Sequence, residues 1–233
     1  MEPLYVIRQA EAQSHTEAYT NHDLYTAGSW LAKPVKTVLD LLPMFEGRTD
    51  FRALDLGSGV GRNSIPVARF FAHIPCRVDC VDILELAIDK LRENAVRFGV
   101  SEAIAGVVSS IDAYSIPGSH YDLIMAVSAL EHVDSKETFL RKLGQIRDGI
   151  RPGGIVCLII NSGIQEHDKA TGRELVAQFE VNLRTEEMQE ILTGTFARWQ
   201  TIKHTVVHQK YEITRKSGIA ELETNVITCV VRK

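Results

Sequence analysis

Three glycines at alternate positions follow a short apolar run that contains a carboxylate, in Leu54-Asp55-Leu56-Gly57-Ser58-Gly59-Val60-Gly61-Arg62-Asn63. A strand that opens into such a turn and then into a helix lets the main chain approach a ligand closely, because side chains no longer occupy that space. The helix amino terminus adds free amide donors. Two cofactor classes use loops of this kind. A dinucleotide loop has its third glycine one position later and sets a pyrophosphate over the helix terminus. Here the third glycine is Gly61, followed by the bulky Arg62, and Asp55 precedes the first glycine. A carboxylate there repels a pyrophosphate but attracts the ammonium of a methionine moiety. The spacing therefore favours S-adenosyl-L-methionine over NAD, with Asp55, Gly57, Ser58, Gly59 and Gly61 as its contacts.

Asp82 ends the next apolar run, Cys80-Val81-Asp82. A carboxylate at that strand tip can accept from both hydroxyls of a ribose; the competing role is a helix cap. Ile83 beside it can pack on the adenine face. Asp112, in Ser110-Ile111-Asp112-Ala113, can accept from the adenine amine, with Ala113 next to it. Val127 closes the apolar run 122–127 and would line the methionine end. On the acceptor side the candidates are Tyr19, His22, Tyr25 and Trp30 from the amino-terminal segment, Glu131 and His132 after the fourth strand, and Asn161 after the fifth. Methyl transfer from a sulfonium depends mainly on alignment, so no catalytic residue is singled out. No metal site is expected, because Cys76 and Cys80 lack a second Cys/His pair.

These residues must be positioned by alternating elements. Apolar runs at 53–56, 77–81, 104–108, 122–127 and 155–160 read as strands, and helical periodicity recurs at 65–71, 84–98 and 136–150. Arg151-Pro152-Gly153-Gly154 reads as a tight turn. After a helix near 185–192, the runs 199–211 and 221–231 read as an antiparallel pair on the sheet edge. Residues 1–50 read as a helical cap or lid, polar through Asn21 and His22 and helical over 30–42, and 51–233 as the main domain. The rhythm predicts an α/β, doubly wound, mostly parallel sheet.

Composition bounds the rest. A chain of 233 residues, 45% hydrophobic and 24% charged, can bury a full sheet, and it contains no run long enough to cross a bilayer. The sequence around Glu2 and Glu11 lacks the basic and long apolar regions of an export signal. A cytoplasmic, soluble protein with reduced cysteines is the expectation. The net charge of −4 provides no field to gather a polyanion, so nucleic acid is a disfavoured partner. The local run Arg141, Lys142, Arg147 and Arg151 reads as a solvated helix face.

The series ALDLGSGVGRN, CVDILELAIDKL, SSIDAY, YDLIMAVSALEHV and RPGGIVCLII, spanning 51–161, resembles the ordered motif set of class I S-adenosylmethionine-dependent methyltransferases. Within that family, Gly61-Arg62-Asn63-Ser64-Ile65 and the carboxyl-terminal strand resemble the tellurite-resistance, TehB-like group of small-molecule enzymes. The resemblance implies a seven-stranded Rossmann-like sheet with an antiparallel last strand, S-adenosylmethionine as cofactor and a small-molecule acceptor. It says nothing of the oligomeric state. Ser128-Ala129-Leu130-Glu131 departs from the Pro-Pro-aromatic motif of base-amino methyltransferases. No cysteine lies between Cys80 and Cys157 to serve as a cytosine C5 nucleophile. The alternatives are a non-catalytic cofactor-binding module that serves a partner protein and, further off, an NAD-dependent oxidoreductase.

Overall fold

The computed structural model describes residues 4–177, 179–215 and 218–233; Glu2, used above against an export signal, lies outside them. Helix α1 spans Leu4–Asn21 and α2 Lys36–Leu41. Then come β1 (Phe51–Leu56), α3 (Ser64–Phe70), β2 (Cys76–Asp82), α4 (Glu85–Arg97), β3 (Ile104–Val108) and β4 (Tyr121–Val127). The chain continues through α5 (Lys136–Gly149), β5 (Ile150–Asp168), β6 (Glu174–Leu175), α6 (Thr185–Thr195), β7 (Gln200–Arg215) and β8 (Gly218–Arg232).

The strands lie in the order β3-β2-β1-β4-β5-β8-β7, with the two-residue β6 paired to β5 off this path. β1 to β5 run parallel, whereas β8 is antiparallel to β5 and β7 antiparallel to β8. The chain winds outward from β1 through β2 to β3, then returns to β4 on the other side of β1. Carboxyl ends of strands at such a reversal leave a crevice between their loops.

Side-chain alternation along the strands feeds two cores. Ala53, Val78, Leu123, Met125 and Cys157 share one with α3, α4 and amino-terminal residues Tyr19, Leu24, Leu31, Val38 and Leu41. Leu54, Leu56, Ile124, Ala126, Val156 and Leu158 face α5 and α6. The amino-terminal segment is thus built into the sheet's own core. Phe51 stacks on Phe71 with ring centroids 3.7 Å apart.

Three local expectations are corrected. The helix over 30–42 is interrupted: Trp30–Ala32 is a 3-10 turn, Lys33 is extended, and α2 starts only at Lys36, because Pro34 disfavours helical geometry in the residue before it. Arg151–Gly154 makes no separate turn; it is an irregular start to β5, with a register shift against β4 and Gly153 at φ +75°. The basic run is not one solvated face. Lys142 is buried, donating to the Tyr114 carbonyl and to Gln145 Oε1, and Arg151 pairs with Asp50 and Asp122.

Candidate functional site

The glycine loop leaves the tip of β1 and folds back on β2: the Gly57 and Ser58 amides both donate to the Val81 carbonyl, at 2.8 and 3.0 Å. Gly59 and Gly61 have φ of +53° and +93°, where L side chains are strained. Space is as restrictive as conformation. A Cβ on Gly61 would come within 2.6 Å of Leu91 Cδ1, and one on Gly59 within 2.7 Å of the Tyr19 hydroxyl. Around the loop, Tyr25 donates to the Arg62 carbonyl (2.9 Å) and Arg62 Nε to the Lys33 carbonyl (2.7 Å). The Val35 amide donates to Asn63 Oδ1 (3.0 Å), and Asn94 Nδ2 to the Val60 carbonyl (2.9 Å). Such a loop is preorganised for a ligand rather than shaped by one.

Two carboxylates flank this cradle. Asp82 Oδ2 accepts from the Gly59 amide at 2.8 Å and Oδ1 from the Leu84 amide at 3.0 Å. Leu84, not Asp82, is the N-cap of α4, so the carboxylate joins the two loops and each oxygen retains a lone pair for a further donor. Burial pushes its pKa up against the pull of those two amides. Asp55 is fully enclosed, accepts from Ser64 Oγ at 2.5 Å, and has its pKa pushed up to about 7. Burial is the main cause; the Ser64 hydrogen bond opposes it and the nearby Asp82 charge adds to it.

Helix α1 covers the other half of the mouth through a stripe spaced three or four residues apart. Arg8 reaches Asp112 Oδ2 at 2.7 Å and Glu180 Oε1 at 3.4 Å. Glu11 Oε2 lies 2.9 Å from His132 Nδ1, and Glu180 Oε2 lies 3.0 Å from the same nitrogen. Burial would lower the His132 pKa, but the hydrogen bonds to Glu11 and Glu180 outweigh it and raise it to about 10. Conversely, burial would raise Glu11, yet His132 and His15 bring it down to about 2. Tyr19 packs edge-on against Trp30, with ring centroids 5.9 Å apart, and burial raises its phenol.

The structure brings Tyr19, Asp55, Asp82, Asp112, Glu131, His132 and Asn161 to the carboxyl-terminal side of the sheet. Glu131 is fully buried and accepts from the Asn161 amide (3.2 Å) and side chain (2.5 Å), and burial pushes its pKa up. Ser128 follows Val127 with φ +48°, a strained conformation for a residue that bears a side chain. Ile83, 55% exposed, stands free at the tip of β2. Ala113 belongs to the turn closed on Ser110. Trp30 stays 45% exposed, edge-on to His15 and under the Arg62 guanidinium. Tyr25 packs on Phe98 and holds the loop from behind, and His22 lies beside Gly28; neither joins the His132 cluster. Arg8, Glu11, His15, Ser64 and Glu180 were not foreseen. The spacing of Glu11, His15 and Tyr19 on one helical face was the available signal; Glu180 had none.

The fit to an adenosyl cofactor is testable on this geometry. Two buried oxygens here have no hydrogen-bond partner, Ser58 Oγ in the loop and Asp112 Oδ1 beyond β3. Together with the glycine cradle, the Asp82 lone pairs and the exposed Ile83, they offer acceptors and an apolar edge where a nucleoside has donors and a ring. The residues fit the group.

Fold and site define a Rossmann-like domain of the methyltransferase type. Residues 53–154 match the family model described as a methyltransferase domain. The chain's sequence is similar to a ubiquinone biosynthesis O-methyltransferase from Methylocella silvestris, at 33% identity over 45% of this chain and 38% of that protein. It is also similar to a sterol 24-C-methyltransferase from Neurospora crassa, at 25% identity over 70% of this chain and 42% of that one. The chain therefore spans about two fifths of these relatives' length. Among solved structures, TehB from Haemophilus influenzae superposes with a TM-score of 0.63 at 18% identity, over 85% of this chain and 62% of that one. At that identity the likeness concerns the fold alone.

Proposed function

We propose that this protein transfers a methyl group from S-adenosylmethionine to a small-molecule acceptor. The observation that carries the reading is the glycine cradle bounded by Asp55 and Asp82, with Asp112 Oδ1 left unpartnered beyond the next strand. Bound there, the cofactor supplies an electrophilic methyl carbon on a sulfonium.

The chain's own part is binding, orientation and exclusion of water. Asp82 offers its free lone pairs to ribose hydroxyls while its other contacts fix the loop. Asp112 Oδ1 accepts from the adenine amine, and Ile83 covers the ring. Asp55, ionised, attracts the ammonium. Val127 and the strained Ser128 shape the methionine end. Helix α1, with Tyr19, closes the mouth, and Glu131, His132 and Asn161 border the acceptor side. Holding the acceptor atom in line with the methyl carbon supplies much of the rate, on the order of 7–11 kcal/mol in favourable cases. The named relatives act on different acceptors, one at oxygen and one at carbon, so neither acceptor is assigned here.

Calorimetry with S-adenosylmethionine, S-adenosylhomocysteine and NAD, followed by label transfer from the first to a metabolite panel, tests the proposal. The adenosyl compounds should bind and NAD should not. Tighter binding of NAD would overturn the reading, and cofactor binding without transfer to any acceptor would favour a binding module.

A further inference from the structure

Beneath α1, three side chains from distant parts of the chain present one donor atom each to a common point. His132 Nδ1 is 2.9 Å from Glu11 Oε2 and 3.0 Å from Glu180 Oε2, and the three donors lie within 4.8 Å of one another. The glycine cradle contributes nothing to this cluster.

The donors are held by the fold. Glu180 is locked by its neighbours: the Val181 amide donates to the Glu131 carbonyl (2.9 Å) and the Gly163 amide to the Leu183 carbonyl (2.7 Å). Asn182 clamps both the amide and the carbonyl of Ile164. The His132 amide closes a 3-10 turn on the Ala129 carbonyl (3.2 Å), and its ring stacks on Phe179 with centroids 5.0 Å apart. Glu11 is carried by α1.

The surroundings add a second observation. Three carboxylates, those of Glu11, Glu180 and Asp112, gather here around Arg8 and His132, with His15 3.6 Å from Glu11. Beside them the side chain of Glu131 is fully buried, and its Oε2 has no hydrogen-bond partner. Buried polar groups are costly when left unpartnered. One imidazole nitrogen with two carboxylate oxygens is a donor set that divalent first-row ions accept. With metal–ligand bonds of about 2.1 Å, cis donors of an octahedral shell stand about 3.0 Å apart, which is the separation of His132 Nδ1 from each glutamate oxygen.

We propose that Glu11, His132 and Glu180 bind a divalent first-row transition ion that fastens α1 to the turn after β4 and to the segment before α6. His132 ligates as the neutral ring, its Nδ1 proton leaving to solvent. The site borders the acceptor side proposed above, but ion binding is read in the absence of cofactor and acceptor.

The full chain, stripped with a chelator, is titrated with Co²⁺ by visible absorption and with Mn²⁺ by calorimetry, with Mg²⁺ as the hard-cation control. Hydrogen exchange over residues 4–21 is followed with and without ion. The expected result is one saturable equivalent of Co²⁺ or Mn²⁺, weakened at least tenfold by His132→Gln and by Glu11→Gln, and slower exchange in α1 only when the site is intact. Glu11→Gln, on the covering helix, carries the test should the His132 variant fail to fold. No saturable binding at millimolar ion, binding that survives both substitutions, or exchange unaffected by bound ion would each overturn the proposal. Cofactor binding is read separately by calorimetry, so failure of ion binding and failure of the methyl-transfer reading are distinguishable.

Discussion

Asp55 provides the sharpest quantitative test of how the site trades stability for binding. Its pKa is pushed up to about 7 from 3.8 by burial, opposed by Ser64 and aided by Asp82. Because the folded value is the higher one, the folded state holds a proton that the unfolded state has released at intermediate pH. The stabilisation is full below pH 3.8 and disappears as pH rises through about 7. Integrating between about pH 5 and about pH 8 gives roughly 3 kcal/mol of lost stability from this one group. At ~2–4 °C per kcal/mol for a domain of this size, that is a fall of roughly 5–10 °C in melting temperature. Asp55→Asn retains the shape and an acceptor for Ser64 but has no proton to lose. Thermal unfolding of both proteins across that range, without cofactor, should show the slope in the wild type alone, with the variant the more stable at high pH. The variant should also bind S-adenosylmethionine more weakly, having no charge for the ammonium. Parallel pH profiles would refute the reasoning, since the carboxylate would then ionise in the fold as freely as in the unfolded chain.

Asp82→Ala removes acceptors from both Gly59 and Leu84 as well as from a ribose, so folding and binding should both suffer. Asp82→Asn keeps a loop acceptor, and isothermal titration should show adenosylhomocysteine affinity reduced roughly tenfold to a hundredfold, the cost of about 1.5–3 kcal/mol for hydrogen bonds to a charged group. Arg8→Ala leaves Asp112 and Glu180 without their shared cation. The Arg8 side chain is about a third exposed but those of Asp112 and Glu180 are 15% and 0% exposed, so the substitution leaves buried carboxylates without their cation; melting temperature should fall and amide exchange in α1 should quicken measurably.

Most of the sheet was legible because its signal is local. The alternation that sends Leu54 and Leu56 to one core and Ala53 to the other is written in adjacent residues, as is the glycine loop. Helix α1 was harder to read. Its inward stripe of Arg8, Glu11, His15 and Tyr19 is polar, so apolar periodicity shows only a polar stretch. Pro34 was a readable break in the helix over 30–42 that periodicity alone passes over. The extension of β5 to Asp168 depends on its long antiparallel pairing with β8 through polar residues such as Asn161, Ser162 and Gln165. That pairing, with Asn182 bracing Ile164, is what brings Glu180 to His132. No short-range pattern encodes it.

The two halves of the mouth are therefore built on different principles. The cofactor half is backbone: amides bonded to Val81 and Asp82, glycines at positive φ, and a loop tied to Lys33, Val35 and Asn94. Such geometry tolerates few residue types, which is why a motif reveals it. The proposed acceptor half is side chain: Arg8, Glu11, Asp112, His132 and Glu180 are joined by charge beneath a helix that also buries Ile7 and Tyr19. Ion pairs of this kind hold α1 in place without the cavity penalties that fix a core helix. Its charges therefore set how readily α1 loosens at Arg8 and Glu11, while Tyr19 stays packed in the sheet's core.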